Sequence, residues 1–301
     1  MTERVYESLV GITGKENVKR DEPMKNHTTF RIGGNADLFV TPGTKEELQQ
    51  ILQLLNKECV PFFILGNGSN ILVSDEGFRG AVIQIGRNYQ SIRRKGCTLV
   101  VKSGITMARM ASFALENSLT GLEFASGIPG TAGGGAIMNA GAYGSEMKDV
   151  LKEVLCMNRQ GEIFSLKGEE MGLSYRNSRM KKDDLIVLEL ILELQEGEQE
   201  KIRLRHEELK EARTSKQPLE YPSAGSTFKR PEGMFAGKLI MDAGLKGFQI
   251  GGAQVSEKHA GFVINVGGAT AADVKALMEH IVKTVQEQFG VTLEPEVLFV
   301  G

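Results

Sequence analysis

The patterning of this chain predicts a mixed fold of helices and strands, α/β or α+β, and three observations carry the prediction. Strand-like and helix-like segments alternate through residue 120. Two glycine-rich segments, 66–70 and 127–135, interrupt that alternation. Near the C-terminus Thr270 caps an amphipathic helix with Val274, Leu277, Met278, Ile281, Val282 and Val285 on one face, and Gly290 stands just past its end.

Taken in order, residues 1–25 read as a short amphipathic helix and a charged linker. Thr44 caps the next helix, Glu47 completes a capping box, and Leu48, Ile51, Leu52 and Leu55 form one face. Segments 60–65 and 71–73 are strands on either side of Gly66-Asn67-Gly68-Ser69-Asn70. Further strands are expected at 81–85 and 98–102, and Thr106 opens a helix through Asn117. Residues 121–144 hold eight glycines in twenty-four positions, a density expected only of a loop that wraps a ligand. Segments 150–157 and 162–166 flank the hairpin turn Asn158-Arg159-Gln160-Gly161. A strand at 185–194 precedes a charged helix at 198–213, ended by Ser215-Lys216-Gln217-Pro218, and a domain boundary is expected near residue 200. Beyond it come a helix at 235–243 stopped by Gly244, strands at 248–255 and 261–266, and a closing strand at 291–300 interrupted by Pro295.

Composition narrows the class. A chain of 301 residues suggests two or three domains. Lys plus Arg is 36 and Asp plus Glu is 38, so the net charge is −2, without the basic surplus of a general nucleic-acid binder. Cys59, Cys97 and Cys156 are too few and too scattered for a disulfide framework or a zinc site, and read as small buried hydrophobes. His27, His206, His259 and His280 show no metal-ligand spacing, so no metal is expected; His206 and His280 read as surface residues. No segment has the length of a signal peptide core or a membrane span, which predicts a cytoplasmic protein without a membrane partner.

The glycines point to the chemistry. Successive backbone N–H groups in 127–135 make an anion-binding concavity, and a following helix N-terminus would add its dipole. A pyrophosphate is the natural ligand. Gly66-Asn67-Gly68-Ser69-Asn70-Ile71 lacks the third glycine of a Rossmann fingerprint, and no Gly-Lys-Ser/Thr follows either loop as in a P-loop. A dinucleotide pinched between two lobes fits these loops better.

Six motifs together resemble one family. Arg31-Ile32-Gly33-Gly34, Leu65-Gly66-Asn67-Gly68-Ser69-Asn70 and the run Gly121-Leu122-Glu123-Phe124-Ala125-Ser126-Gly127-Ile128-Pro129-Gly130-Thr131-Ala132-Gly133-Gly134 are similar to the FAD loops of the UDP-N-acetylenolpyruvoylglucosamine reductases. Ser174-Tyr175-Arg176-Asn177-Ser178, Ala224-Gly225-Ser226-Thr227-Phe228-Lys229 and Leu293-Glu294-Pro295-Glu296-Val297 follow in the family's order. The resemblance implies an α+β chain with a two-lobed FAD-binding fold like that of vanillyl-alcohol oxidase, plus a C-terminal α/β substrate-binding domain. The implied division is 1–85 and 86–200 for the two FAD lobes and 201–301 for the substrate domain, whose last strand carries Glu296 back to the active site. It further implies NADPH-dependent, FAD-mediated reduction of the enolpyruvyl ether of UDP-GlcNAc in peptidoglycan precursor synthesis, by a monomer acting on a small molecule. The interval between Ser178 and Leu185 is too short for the inserted tyrosine loop of one subclass, so the chain resembles the shorter one.

The implied FAD contacts are Arg31, Gly66, Asn67, Gly68, Ser69, Asn70, Gly127, Gly130, Thr131, Gly133, Gly134, Asn139 and Gly141. Neither loop contains His or Cys, which predicts non-covalent attachment. Hydride addition at one alkene carbon pushes charge onto the substrate carboxylate, and Arg176 can hold that carboxylate bidentately. Ser226 is the candidate proton donor, with Lys216, Lys229 and Arg230 as the nearby cations. Glu296 is expected to be protonated among Val297 and Leu298 and to donate to the enolic oxygen. Tyr143, Lys216, Lys229 and Arg230 are expected to contact the substrate. A flavin oxidase of the same fold and a nucleotide-binding regulatory module are the competing readings; flavin colour and substrate-accelerated NADPH oxidation separate them.

Overall fold

A computed structural model describes residues 3–301. The chain forms two compact units. The first comprises the described residues through Arg20, Leu38–Asn67 and Gly80–Arg213; the second comprises Asp21–Asp37, Gly68–Arg79 and Thr214–Gly301. Segments 21–37 and 68–79 therefore pack with the C-terminal part, and the last division falls at Arg213.

The first unit has two hydrophobic cores. In one, the helices Glu3–Thr13 and Lys45–Lys57 cover a sheet with Val5, Leu9, Leu48, Ile51, Leu52 and Leu55. Thr44 Oγ1 accepts the Glu47 N–H at 3.1 Å, so the expected N-cap is present, but the Glu47 carboxylate accepts the Gly43 N–H at 2.8 Å rather than that of Thr44, and the expected capping box does not close. The sheet order is Val18–Pro23, Asn35–Val40, Phe78–Gln84, Phe62–Leu65, the last two parallel. The charged linker expected after the first helix is thus partly strand: Lys19 and Arg20 point outward while Val18 is buried.

The other core lies on a five-stranded antiparallel sheet ordered Ile163–Lys167, Leu151–Met157, Ile186–Glu193, Thr98–Lys102, Ile92–Lys95. The helix Met107–Glu116, capped by Thr106, packs on it. The glycine-rich stretch departs from expectation. It folds into a 3-10 turn, Glu123–Gly127, and an α-helix, Ala132–Ile137, with three consecutive glycines. Packing overrides propensity here. A Cβ on Gly133 would stand 2.8 Å from Ser103 Cβ, and one on Gly135 2.6 Å from Met107 Sδ, so only glycine lets this helix lie so close to its neighbours. Of the cysteines only Cys156 is buried, its thiol pushed up to about 12 by that burial; Cys59 is exposed.

The charged helix runs Gln199–Lys216, three residues past its expected end, because Pro218 disfavours helix only at Gln217 before it.

The second unit packs the helix Ala271–Phe289 against a three-stranded sheet, Gln249–Ile250, Ala253–Val255 and Val263–Asn265, and the helix Ala236–Asp242. The expected 248–255 strand is a hairpin, folded at Gly251 with φ 52. Thr270 and Gly290 cap the long helix as expected. A second cap was not foreseen: the Asp75 carboxylate accepts the N–H groups of Ala271 at 2.8 Å and Ala272 at 3.0 Å. Strand Leu298–Val300 pairs in parallel with Ile71–Val73. It starts two residues after Glu296, so Glu296 stands before the closing strand rather than on it.

Candidate functional site

In the first unit, strand Phe62–Leu65 delivers Gly66 to the cap of the glycine helix. A Cβ on Gly66 would stand 2.7 Å from Thr131 Oγ1, so the two glycine loops meet there. Gln84 Nε2 donates to the Gly66 carbonyl at 3.1 Å and fixes the turn. The N–H groups that opened the glycine helix were expected to face an anion. The structure uses them internally: Ala132 N–H donates to Ile105 O at 2.7 Å, Gly133 N–H to Ser103 O at 2.9 Å and Gly134 N–H to Thr131 Oγ1 at 3.3 Å. Gly133 and Gly134 thus bring close approach to this wall, and their N–H groups are already taken.

Two polar groups at the same wall were missed by sequence reasoning. Ser103 is buried beneath Gly133, and its hydroxyl has no hydrogen-bond partner among the described residues. Arg213 lays its side chain on the loop, its Cδ 2.9 Å from where a Gly127 Cβ would stand. It has no ion-pair partner among the described residues, and burial pulls its pKa below the usual guanidinium range, opposed by the nearby Tyr143 phenol. A half-buried cation without a carboxylate, an orphaned hydroxyl and two glycine-rich loops fit an anionic dinucleotide such as FAD. Nothing in the sequence separates Arg213 from the other charged residues of its helix.

Asn139 is buried with φ 41. Its Nδ2 donates to Ser174 O at 3.2 Å and its Oδ1 accepts Lys148 N–H at 2.9 Å, so it ties the glycine helix to the next turn. That turn, Ser174 to Asn177, is closed by reciprocal backbone bonds of 3.0 Å and presents Arg176 at φ 53, its guanidinium carbon 5.2 Å from the Tyr175 ring centre. Ser178 anchors it by donating to Ile137 O at 2.7 Å. The helix Arg179–Lys182 follows directly. Gly141 sits in the two-residue strand Gly141–Ala142, whose pairing with Ser145–Glu146 projects Tyr143 at φ 54. Tyr143 lines a cavity of about 530 Å³ with Glu123, Lys201 and Arg205. Gly130, at φ 132, accepts the Met107 N–H at 3.1 Å.

The second unit holds Arg31, Gly68, Ser69, Asn70, Lys216, Ser226, Lys229, Arg230 and Glu296. Gly68 has φ 60 and a Cβ there would overlap the His27 carbonyl, so the turn admits only glycine. Asn70 Nδ2 donates to Glu296 O at 3.1 Å, and Leu298 N–H donates to Asn70 O at 3.0 Å. Ser226 is exposed and Glu296 half-buried; Leu298 is exposed, so the fully apolar setting expected for Glu296 is not what forms. Buried Thr227 couples the two: its carbonyl accepts Glu296 N–H at 2.9 Å, and the bridge from Phe228 to Pro295 continues the pairing. Lys229 Nζ is 2.9 Å from Glu294 Oε2, while the Arg230 guanidinium lies over Phe235 at 5.3 Å. Lys216 is exposed at the end of its helix.

Strain marks the same places. Eight non-glycine residues have positive φ among those described, and Arg31, Asn139, Tyr143 and Arg176 are four of them. Left-handed backbone costs about 1–3 kcal/mol at such residues and concentrates where function requires a side chain to be aimed.

His206, expected at the surface, is half-buried with its Nε2 unpartnered, whereas His280 is partly exposed and stacks on exposed Phe248 with ring centres 4.4 Å apart.

Known proteins supply the last comparison. Residues 36–167 match an FAD binding domain and residues 217–300 match the C-terminal domain of UDP-N-acetylenolpyruvoylglucosamine reductase. The enzyme of that name from Alkaliphilus metalliredigens is 51% identical over 299 residues, 99% of this chain and 98% of its own length. The Geobacillus kaustophilus enzyme is 52% identical over the same share of each chain. The crystal structure of the Thermus caldophilus reductase superposes with a TM-score of 0.81 at 36% identity, covering 94% of this chain and 98% of that one. A Phl p 4 variant described as a glucose oxidase shares the fold alone, at a TM-score of 0.52 and 12% identity over 65% of this chain and 45% of that one. With the expected α+β flavin fold in place and full-length identity near one half, the chain belongs to the UDP-N-acetylenolpyruvoylglucosamine reductase family.

Proposed function

We propose that this chain reduces UDP-N-acetylglucosamine enolpyruvate to UDP-N-acetylmuramate in peptidoglycan precursor synthesis, with non-covalent FAD as cofactor and NADPH as hydride donor. The observation that carries the reading is the full-length relationship to reductases of that name, 51% over 299 residues. FAD, when bound, supplies the hydride chemistry.

In this reading Gly66, Asn67, Gly127, Gly130 and Thr131 give the dinucleotide close backbone approach, and Arg213 supplies the cation that its negative charge needs. Arg31, Gly68, Ser69 and Asn70 serve as further FAD contacts, while Gly133, Gly134, Asn139 and Gly141 hold the wall beside the glycine loop 127–135. Arg176 grips the substrate carboxylate and stabilises the charge that builds there. Ser226 delivers the proton to the α-carbon. Glu296, protonated, donates to the enolic oxygen; its half-burial supports this without the apolar strand expected earlier. Tyr143 and Lys216 serve the nucleotide end of the substrate, and Lys229 and Arg230 are further substrate contacts and cations near Ser226. Residues 1–85 and 86–200 act as FAD lobes and 201–301 as the substrate domain; the presence of three hydrophobic cores supports three parts, although Phe30, Ile32 and Leu72 join the C-terminal core and 201–213 pack with the first unit. The protein acts as a cytoplasmic monomer without nucleic-acid or membrane partners; a net charge of −2 supports the former. No helix among the described residues is long and apolar enough to cross a membrane.

The test is NADPH oxidation by the purified, FAD-loaded protein. Enolpyruvyl-UDP-GlcNAc should accelerate it and yield a product heavier by two hydrogens. Oxidation indifferent to that substrate overturns the reading. Glu296→Gln should retain far more activity than Glu296→Ala; a dead Gln beside an active Glu296→Asp would make Glu296 the proton-transfer group in place of Ser226.

A further inference from the structure

A serine hydroxyl can protonate carbon only from a fixed position, yet Ser226 is exposed and sits after Gly225 at φ 77. What holds it lies behind it. Thr227 is buried and bonded at three atoms: its N–H donates to Gly261 O at 2.9 Å, its carbonyl accepts Glu296 N–H at 2.9 Å, and its Oγ1 accepts Val263 N–H at 2.9 Å. Gly261 in turn donates its own N–H to His259 Nδ1 at 3.1 Å. An unbroken relay therefore runs from the His259 ring through Gly261 and Thr227 to the Glu296 backbone, passing beside Ser226.

The ring is itself clamped. Its Cε1 lies 2.9 Å from where a Gly261 Cβ would stand and 3.2 Å from that of Gly237, so two glycines make the slot it fills. Phe262 meets it edge-on with ring centres 5.0 Å apart. Ser256 Oγ accepts the His259 N–H at 3.2 Å and Phe262 N–H donates to the His259 carbonyl at 3.0 Å. Because Nδ1 accepts from an amide, the neutral ring carries its proton on Nε2. Burial pulls the imidazole pKa below its ordinary value and so favours this acceptor form.

We propose that His259 is a positioning residue for the substrate half-reaction: through Gly261 and Thr227 its Nδ1 fixes where Ser226 and Glu296 stand. The proposal rests on the reading of those two as the proton-handling pair. A misplacement of about 1 Å can cost ~10² in rate, which sets the scale of the effect.

The experiment compares His259→Asn, whose Oδ1 falls where Nδ1 was, with His259→Gln, whose Oε1 falls where Nε2 was. Both are measured as FAD-loaded holoenzyme, with Ser226→Ala as reference. Rapid-mixing kinetics separate flavin reduction by NADPH from flavin reoxidation by enolpyruvyl-UDP-GlcNAc. Asn should keep reoxidation within about threefold of the parent, while Gln slows it ~10–100-fold. Both should leave flavin reduction nearly unchanged. Amide hydrogen exchange of Gly261, Thr227 and Glu296 should stay protected in the Asn variant and rise in the Gln variant. Equal reoxidation rates in Asn and Gln, equal slowing of both half-reactions, or unchanged protection at the three amides in the Gln variant each overturn the proposal. An unimpaired Ser226→Ala instead removes the proton role of Ser226, while the amide-exchange comparison still decides whether the relay exists.

Discussion

A guanidinium half-buried without a carboxylate is costly to desolvate, and Arg213 keeps its charge because arginine cannot release its proton under ordinary conditions. Hydrogen bonds to charged groups contribute about 1.5–3 kcal/mol, so Arg213→Gln should weaken FAD binding to the apoprotein ~10–100-fold in a flavin fluorescence titration. Arg213→Lys should recover part of the loss, since it restores charge without the planar fork. Unchanged affinity in the Gln variant would remove Arg213 from the cofactor site. His206 makes the complementary case. Burial holds its pKa below the usual 6.5, with Glu123 opposing, and its Nε2 lacks a partner. As pH falls below that value the unfolded chain takes up a proton that the folded chain resists, so acid costs stability and the effect vanishes above it. His206→Leu should therefore raise the thermal midpoint and flatten its decline between about pH 7 and 5; a steeper decline in the variant would contradict this.

Helices that begin with their own signal were legible and those that depend on distant partners were not. Thr44, Thr106 and Thr270 each cap where their sequence says, because the cap and the first turn are neighbours in the chain. The glycine helix Ala132–Ile137 was illegible because Ser103 and Met107, which make its close packing possible, lie on other elements. The hairpin at 249–255 was read as one strand because alternation does not register a fold at Gly251 and Gly252. The candidate site divides likewise. Its proposed residues were picked out from local motifs, whereas Arg213 and Ser103 lie in no motif and acquire meaning only from what they touch, as does the buried Thr227 within its motif. Asp75 is the sharpest instance, capping Ala271 and Ala272 from 196 and 197 positions away. Asp75→Ala should cost about 0.5–2 kcal/mol, read as a lowered urea midpoint. Asp75→Asn, which keeps one acceptor, should lose less. An unchanged midpoint in the Ala variant would show that water replaces the cap.

At the scale of the whole molecule, the second unit is assembled from three stretches of chain. Its core contains Phe30, Ile32 and Leu72 as well as residues of the C-terminal part, and Leu298–Val300 finds its only strand partner in Ile71–Val73 among the described residues. A fragment of residues 214–301 should therefore be largely unfolded by circular dichroism, and linking 21–37 and 68–79 to it should restore a cooperative melt. A folded fragment would show that these early segments are dispensable.

That interleaving has a consequence on the ribosome. Ile71–Val73 is made long before Leu298–Val300, the strand it pairs with. At about 5–20 residues per second, the early strand waits roughly 10–45 s in the growing chain. During that interval Ile71, Leu72 and Val73, all buried at the end, are apolar and unpaired, the kind of short β-prone segment that associates with the wrong neighbour. Nascent chains stalled before residue 298 should accordingly bind holdase chaperones through this stretch, and release of the final residues should free them.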